Sequence, residues 1–275
     1  MLLQVHHDTG QAKWLQTALA RFAEFERHER LAWHETGFLW NDHAVASRIA
    51  VVIQLWALVR SDAALTATHG PALLAFAQRS GRLLAAPGHF TVRTNHGVMQ
   101  NIALLQLAAA FPDLPEARAW QRTAAERLQM QRRFYLSPEG VVLEHSAGYH
   151  AMGAKLLIEA HRLLNQAGLP GAEEMKRESD SARTVLEQLL RPNGTLPAVG
   201  NTDGALTHRV PMLPQDAKLA PESGPWPSNN TPALAGFYPA AGWAVWWAGQ
   251  EGALRASQLL TTWAKHDGHG HKTRR

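Results

Sequence analysis

Cysteine is absent from the 275 residues, which excludes disulfides, thiolate metal sites and a cysteine nucleophile. Long apolar runs are also absent, and the first residues lack the basic segment and apolar run of a signal peptide. We therefore expect neither a membrane span nor a signal peptide. The net charge of +4 is spread along the chain without a basic stripe, so nucleic-acid binding is not expected. A mild positive balance suits an anionic small molecule or sugar polymer.

Val and Ile are scarce while Ala and Leu are abundant, and this composition favours a mainly helical protein. Apolar residues recur at helical spacing in seven segments, which are separated by short turns. The predicted helices span residues 12–30, 43–60, 63–85, 95–111, 116–135, 147–167 and 172–191. Successive helical hairpins fit either an α-solenoid or a closed ring of hairpins.

The composition changes after residue 205. Residues 206–235 are rich in Pro, Ser and Asn, which predicts an irregular linker. Residues 242–249 and 256–265 have the pattern of two strands. Because an isolated hairpin is barely stable, the sequence predicts a helical domain over 1–205 and the first strands of a β domain over 236–275.

The helix at 95–111 opens with Asn95, His96 and Gly97. Thr94 or Asn95 suits the N-cap position, because either side chain accepts a hydrogen bond from a backbone N–H of the first turn. Capping alone does not account for an imidazole and a glycine beside the amide.

A second polar group surrounds the start of the helix predicted from residue 147. Glu144 and His145 precede this helix, and Tyr149 and His150 lie in its first turn. Ser146 is the expected N-cap, with Glu144 as an acid that complements the helix dipole. His145 and His150 are candidates for substrate binding, and the alternative for both is a hydrogen-bonded core residue.

A third group, His269 and His271, follows the second predicted strand. Residues two positions apart in a strand share one face, and two imidazoles on one face begin a zinc site. The alternative is a histidine-rich tail.

Three motifs together resemble the heparinase II/III-like family of polysaccharide lyases, which includes oligoalginate lyases. They are TNHG at 94–97, LEHSAGYH at 143–150 and HGH at 269–271. WNDHAVASRI at 40–49 and LPAVGNTDGA at 196–205 are similar to further parts of the family's pattern. The resemblance covers most of the chain.

This resemblance implies an incomplete (α/α) toroid of helical hairpins, followed by the start of an antiparallel β-sandwich, with the active site in the cleft between them. It implies that Asn95 and His96 line the cleft, that Tyr149 is the catalytic tyrosine, and that His269 completes the site. His271 matches a ligand of a structural zinc that some members contain. The remaining zinc ligands would fall beyond residue 275, so we expect a truncated β domain. The chemistry itself requires no cofactor.

The family reaction is a β-elimination next to a uronic acid, in which a base removes the C5 proton and the O4 leaving group departs. The substrate carboxylate opposes this step unless donors neutralise it. Asn95 and His96 suit such a clamp at a helix start, and Gly97 would let the substrate approach the backbone. Tyr149 is the candidate for proton transfer, and His269 or His96 is the candidate base for the opposite epimer.

Two further residues are candidates for contact with the substrate. A guanidinium binds carboxylate or sulfate in bidentate fashion, which makes Arg48 a candidate; the alternative is a structural pair with Asp42 or Glu35. Glu144 is expected to orient a histidine.

Two other functions fit the same sequence. A glycoside hydrolase on the same toroid would need two carboxylates, and Glu144 with Asp203 is the only plausible pair, although Asp203 also suits a turn. The other is a non-catalytic or inactive glycan-binding fragment. In either lyase or binding protein the expected partner is an anionic polysaccharide, and the resemblance suggests the periplasm or the exterior of a bacterium. The sequence does not indicate an oligomeric state.

Overall fold

The computed structural model describes residues 1–32, 37–144, 146–191, 195–200, 202, 233–248 and 257–262. Within these residues the chain forms eight α-helices, two short 3-10 turns and three strands. The helices are α1 (Leu2–Thr9), α2 (Ala12–Leu31), α3 (Asp42–Val59), α4 (Ala63–Ala85), α5 (Asn95–Ala110), α6 (Ala117–Tyr135), α7 (Ala147–Gln166) and α8 (Ala172–Leu189). The strands are β1 (Ala233–Tyr238), β2 (Trp243–Ala248) and β3 (Ser257–Thr262).

Two compact units can be distinguished. The first comprises Met1–Val92 and His96–Leu128, and the second comprises Arg93–Asn95 and Gln129–Arg275. The division falls at the start of α5 and within α6, rather than at a linker.

The first unit is built from helical hairpins, in which α1 packs on α2 and α3 packs on α4. Helix boundaries follow local chemistry: Asp62 caps α4 by accepting bonds from the Ala64 and Leu65 N–H groups, at 2.8 and 3.0 Å. Helices α4 and α6 approach closely at Gly81, where an added Cβ would overlap the Trp120 ring. Glycine is therefore the residue that permits this packing.

A buried ionic network joins α2, α3 and α4. The Glu29 carboxylate accepts from Arg48 at 3.2 Å and from Arg79 at 2.9 Å, and Arg79 also pairs with Glu26. The Arg48 guanidinium lies over the Phe76 ring at 5.2 Å. Because the Glu29 side chain is almost completely buried, two cations rather than one compensate its charge.

The second unit combines the α7–α8 hairpin with an antiparallel sheet in the order β1-β2-β3. The sheet packs on α8 through a core cluster of apolar side chains. Its buried members include Val185 and Leu189 from α8 and Trp243 and Val245 from β2.

Seven helices and two strands agree with the sequence prediction to within a few residues, whereas α1 and β1 were not predicted. Helix α1 has only eight residues, which is shorter than the window over which helical periodicity is read. In β1, a register shift between Leu234 and Gly236 breaks the alternation expected of a strand.

By length and composition alone, α3 is the one helix in the described ranges that is apolar enough to cross a membrane. A core helix of a soluble protein passes the same test. Helix α3 packs on α4 and carries Arg48 in the buried ionic network, which is the arrangement of a core helix.

Candidate functional site

The start of α5 carries the first predicted site residues. Asn95 is its first residue and is buried, and its backbone N–H donates to Glu144 Oε1 at 2.5 Å. Its side-chain Nδ2 donates to the Met152 sulfur at 3.8 Å. The backbone N–H of Asn95 is one of the donors that a helix start leaves unpaired, so Glu144 caps α5 from a distant segment.

Glu144 is a buried acid with a perturbed titration. Glu144 is only 2% exposed to solvent. Burial raises the pKa of Glu144 from 4.5 to about 7, although the bond from Asn95 lowers it. The pKa of the Tyr135 phenol rises as well, through its own burial and then through the nearby Glu144 charge. The structure bonds Glu144 to the start of α5. That Glu144 orients a histidine stays a prediction.

Tyr149 lies in the first turn of α7 and is half-buried. Its backbone N–H donates to Ser146 Oγ at 2.9 Å, which confirms Ser146 as the N-cap. The cap fixes the backbone from which the candidate catalytic phenol projects.

His150, one residue later, is a structural residue rather than a substrate ligand. It is fully buried, its Nδ1 accepts from the Val142 N–H at 3.1 Å, and its Nε2 donates to the Ala182 carbonyl at 2.9 Å. Burial lowers the pKa of His150 from 6.5 to about 4, although the hydrogen bond to the Ala182 carbonyl raises it. Both ring nitrogens are engaged by backbone, so the prediction of substrate binding by His150 is wrong.

His96 forms the second half of the predicted clamp. Its Nδ1 lies 3.0 Å from Asp42 Oδ1, and its ring packs on His43 with 5.2 Å between centroids. The His96 side chain is 28% exposed and that of Asp42 is 14% exposed. Gly97 follows as a buried residue of the first turn of α5.

The Asp42 carboxylate accepts from three groups. They are the His43 N–H at 2.7 Å, the Thr91 hydroxyl and His96. Burial would raise the pKa of Asp42, but the bonds from Thr91 and the His43 N–H, and then His96, outweigh it and hold the pKa below its usual value. Asp42 is therefore an anion next to the His96 ring.

The segment that carries Thr91 is itself held in place. The buried Gln100 of α5 accepts from the Thr91 N–H at 3.0 Å and donates to the His89 carbonyl at 2.7 Å. Asp42 was predicted as a structural partner of Arg48, whereas the structure places it beside His96. The N-cap of α3 is Asn41, which accepts from the His43 N–H. A carboxylate directly after an amide that already caps the helix is the signal that could have indicated another use for Asp42.

Arg48 is engaged within the first unit. Besides its pair with Glu29, it donates to the Leu39 carbonyl at 3.2 Å, and its side chain is largely buried. The predicted pair between Arg48 and Asp42 is wrong, because Arg48 pairs with Glu29 instead. The other predicted partner, Glu35, lies outside the described residues. Because this guanidinium is buried against an acid, the structure favours a structural role over the predicted contact with substrate.

Other predicted residues lie outside the part of the chain that the structure describes. They are His145, Asp203, His269 and His271. In the described ranges, no group of three or more His, Asp or Glu side chains is arranged to hold a metal ion. The roles of these four residues stay predictions.

Comparison with known proteins places these residues in a family. The family model described as "Heparinase II/III N-terminus" matches residues 2–213, a range that contains Asn95, His96 and Tyr149. The chain belongs to the heparinase II/III family. No curated protein sequence matches it.

Solved structures of the family have the same fold at low identity. The structure entitled "Heparinase III-BT4657 gene product" has a TM-score of 0.64 at 13% identity and covers 98% of this chain. Crystal structures of heparinase III and of heparan sulfate lyase HepC from Pedobacter heparinus have TM-scores of 0.60 and 0.58, at 20% and 18% identity, over 70% and 71% of this chain.

The chain spans 46%, 30% and 31% of the length of those three structures. The likeness confirms the predicted fold class, an incomplete (α/α) toroid of helical hairpins followed by the start of an antiparallel β domain. The family match over residues 2–213 confirms the coarser prediction, membership of the heparinase II/III family.

Proposed function

We propose that this protein is a lyase that cleaves a uronic-acid-containing glycan of the heparan sulfate type by β-elimination. The observation that carries the proposal is the family match over residues 2–213, because that range includes the motif residues Asn95, His96 and Tyr149. The similar structures are those of heparinases and of a heparan sulfate lyase, and this supports the choice of substrate class.

Tyr149 is proposed to transfer the proton. A phenol protonates a leaving O4 directly, and as an anion it removes the C5 proton, so a single tyrosine suffices when both groups leave from one face. Its half-buried position in the capped first turn of α7 suits a side chain that must be both fixed and reachable.

Asn95 and His96 are proposed to neutralise the carboxylate of the uronic acid. Asn95 is buried, with its amide on the Met152 sulfur, so it would act by exchanging that weak donor–sulfur contact for a carboxylate oxygen. His96 is the more exposed of the two, and it would meet the anion first. His269 as a base for the opposite epimer and His271 as a zinc ligand are further proposals, as are a periplasmic or secreted location and an anionic polysaccharide partner.

The hydrolase alternative is the less favoured. A hydrolase needs two carboxylates that flank the scissile bond. Glu144 is almost completely buried and is bonded to the start of α5, so it is not placed as an acid in contact with a sugar.

The test is far-UV absorbance against time with heparin, heparan sulfate, chondroitin, hyaluronan and alginate. β-Elimination leaves a conjugated C4–C5 double bond that absorbs in this range, whereas hydrolysis leaves saturated sugars. We expect a rise with heparan sulfate, and a loss of about 100-fold or more in the Tyr149→Phe variant.

Tyr238→Phe is the matched control, because it removes a phenol hydroxyl that donates to Gln188 within the sheet and α8 region. Its rate should equal that of the wild type. A folded wild type that releases saturated sugars would establish the hydrolase instead. Binding without turnover would establish the non-catalytic alternative.

A further inference from the structure

Asp42 and His96 form a bonded pair that neither a helix cap nor the core requires. The two residues are 54 positions apart, in the first turns of α3 and α5. Asn41 already accepts the N–H of His43 at 3.0 Å, so α3 does not depend on Asp42 for its cap.

The chemistry of the pair determines where the His96 proton lies. A carboxylate only accepts hydrogen bonds, and Asp42 is held as an anion by its hydrogen-bond donors. Nδ1 of His96 must therefore donate to Oδ1, which places a proton on Nδ1 in both the neutral and the charged ring.

We propose that Asp42 is a positioning residue that keeps His96 in the Nδ1–H tautomer and directs Nε2 toward the glycan. This inference rests on the proposed lyase function for its catalytic meaning. Thr91, held by Gln100, fixes the second oxygen of Asp42, and the His43 ring packs on His96 from one side. Both the carboxylate and the imidazole are thus restrained in orientation.

The pairing separates two roles for His96. The neutral ring presents a lone pair at Nε2 and acts as a base or acceptor. The imidazolium presents an Nε2–H and donates to the substrate carboxylate. In both forms the Asp42 carboxylate holds the proton on Nδ1, so it positions the ring for either role.

The first test is the ring tautomer of His96, read from two-bond ¹H–¹⁵N NMR spectra of the ¹⁵N-histidine protein at a pH where the ring is neutral. The His96→Gln variant assigns the signal. We expect the Nδ1–H form in the wild type and in Asp42→Glu, and a shift toward the Nε2–H form in Asp42→Leu, which offers no acceptor to Nδ1. An Nε2–H wild type, or an unchanged tautomer in Asp42→Leu, would overturn the proposal. The wild-type spectrum alone decides it if the variants fail to fold.

The second test is turnover of the glycan that the absorbance panel identifies. Asp42→Leu should lower kcat by about 100-fold or more with KM changed little, and Asp42→Glu should retain part of the activity. Asn41→Ala is the control, since it removes a cap of the same helix without touching His96; it should lower thermal stability and leave the tautomer unchanged. An inactive wild type with the Nδ1–H tautomer would reject the lyase function but support the positioning of His96.

Discussion

Replacing Glu144 with Gln should make the protein more stable at neutral and alkaline pH. The glutamine keeps the size of the side chain and an oxygen for the Asn95 N–H, but it cannot ionise. The carboxylate of the wild type is buried, and its pKa is raised from 4.5 to about 7. Each unit of pKa difference is worth about 1.4 kcal/mol, so the full effect is about 3 kcal/mol.

The direction in which stability changes with pH follows from proton binding to the folded and unfolded states. Between pH 4.5 and 7 the folded protein holds a proton on Glu144 that the unfolded chain has released, so stability falls as pH rises through this range. His150 has the opposite effect: its folded pKa is about 4, so between pH 6.5 and 4 the unfolded chain binds a proton that the folded protein does not. The two slopes oppose one another from about pH 4.5 to 6.5, where we expect the wild-type stability to be nearly flat.

The assay is urea denaturation of both proteins at intervals from pH 4 to 8. The difference in unfolding free energy isolates Glu144, because His150 contributes equally to both proteins. It should be near zero at pH 4.5 and grow to about 3 kcal/mol in favour of Glu144→Gln above pH 7. In the Glu144→Gln variant the unfolding free energy should rise from pH 4 to 6.5, because the opposing titration of Glu144 is gone and that of His150 remains.

Glu187→Gln provides the control, because Glu187 is exposed on α8. It removes the same charge from the surface, and its difference from the wild type should not change by more than about 0.5 kcal/mol over this range. Parallel curves for the wild type and Glu144→Gln would refute the inference that this acid is buried with a raised pKa.

Two further substitutions test the packing of the first unit. Glu29→Gln should lower the unfolding free energy by about 3 kcal/mol in urea denaturation, because two partly buried arginines lose their anion; the exposed Asp180→Asn should change it by less than about 0.5 kcal/mol. Gly81→Ala should lower it by about 1–3 kcal/mol, since the new methyl group overlaps Trp120. Gly70→Ala, whose methyl group would meet a threonine methyl at 3.4 Å, should be neutral or slightly stabilising, and an equal loss at both glycines would contradict the packing argument.

The helices of this protein could be predicted because their signals are local. Asp62 marks the start of α4, and Pro87 and Gly88 follow its end, so the predicted bounds of 63–85 agree with the structure. The strands β2 and β3 likewise have enough apolar residues to be detected. Helix α1 has eight residues, which are too few for a periodic pattern to stand out.

The partners of the site residues could not be predicted, because each comes from a distant part of the chain. Glu29 of α2 bonds Arg48 of α3, and Asp42 bonds His96, which is 54 positions away in the sequence. The types of residue at the candidate site were predicted from motifs. Whether an imidazole is buried among backbone groups, as in His150, or partly open, as in His96, depends on packing that the motif does not encode.

The close approach at Gly81 and Trp120 also constrains how this protein can change over generations. A larger residue at position 81 is tolerated only after the indole at 120 has been replaced by something smaller, whereas a smaller residue at 120 by itself leaves a cavity between α4 and α6. Either single step passes through a less stable protein, and only the double exchange restores the packing. The two positions should therefore vary together among descendants of this sequence. Either glycine faces tryptophan, or a larger residue at position 81 faces a smaller one at position 120.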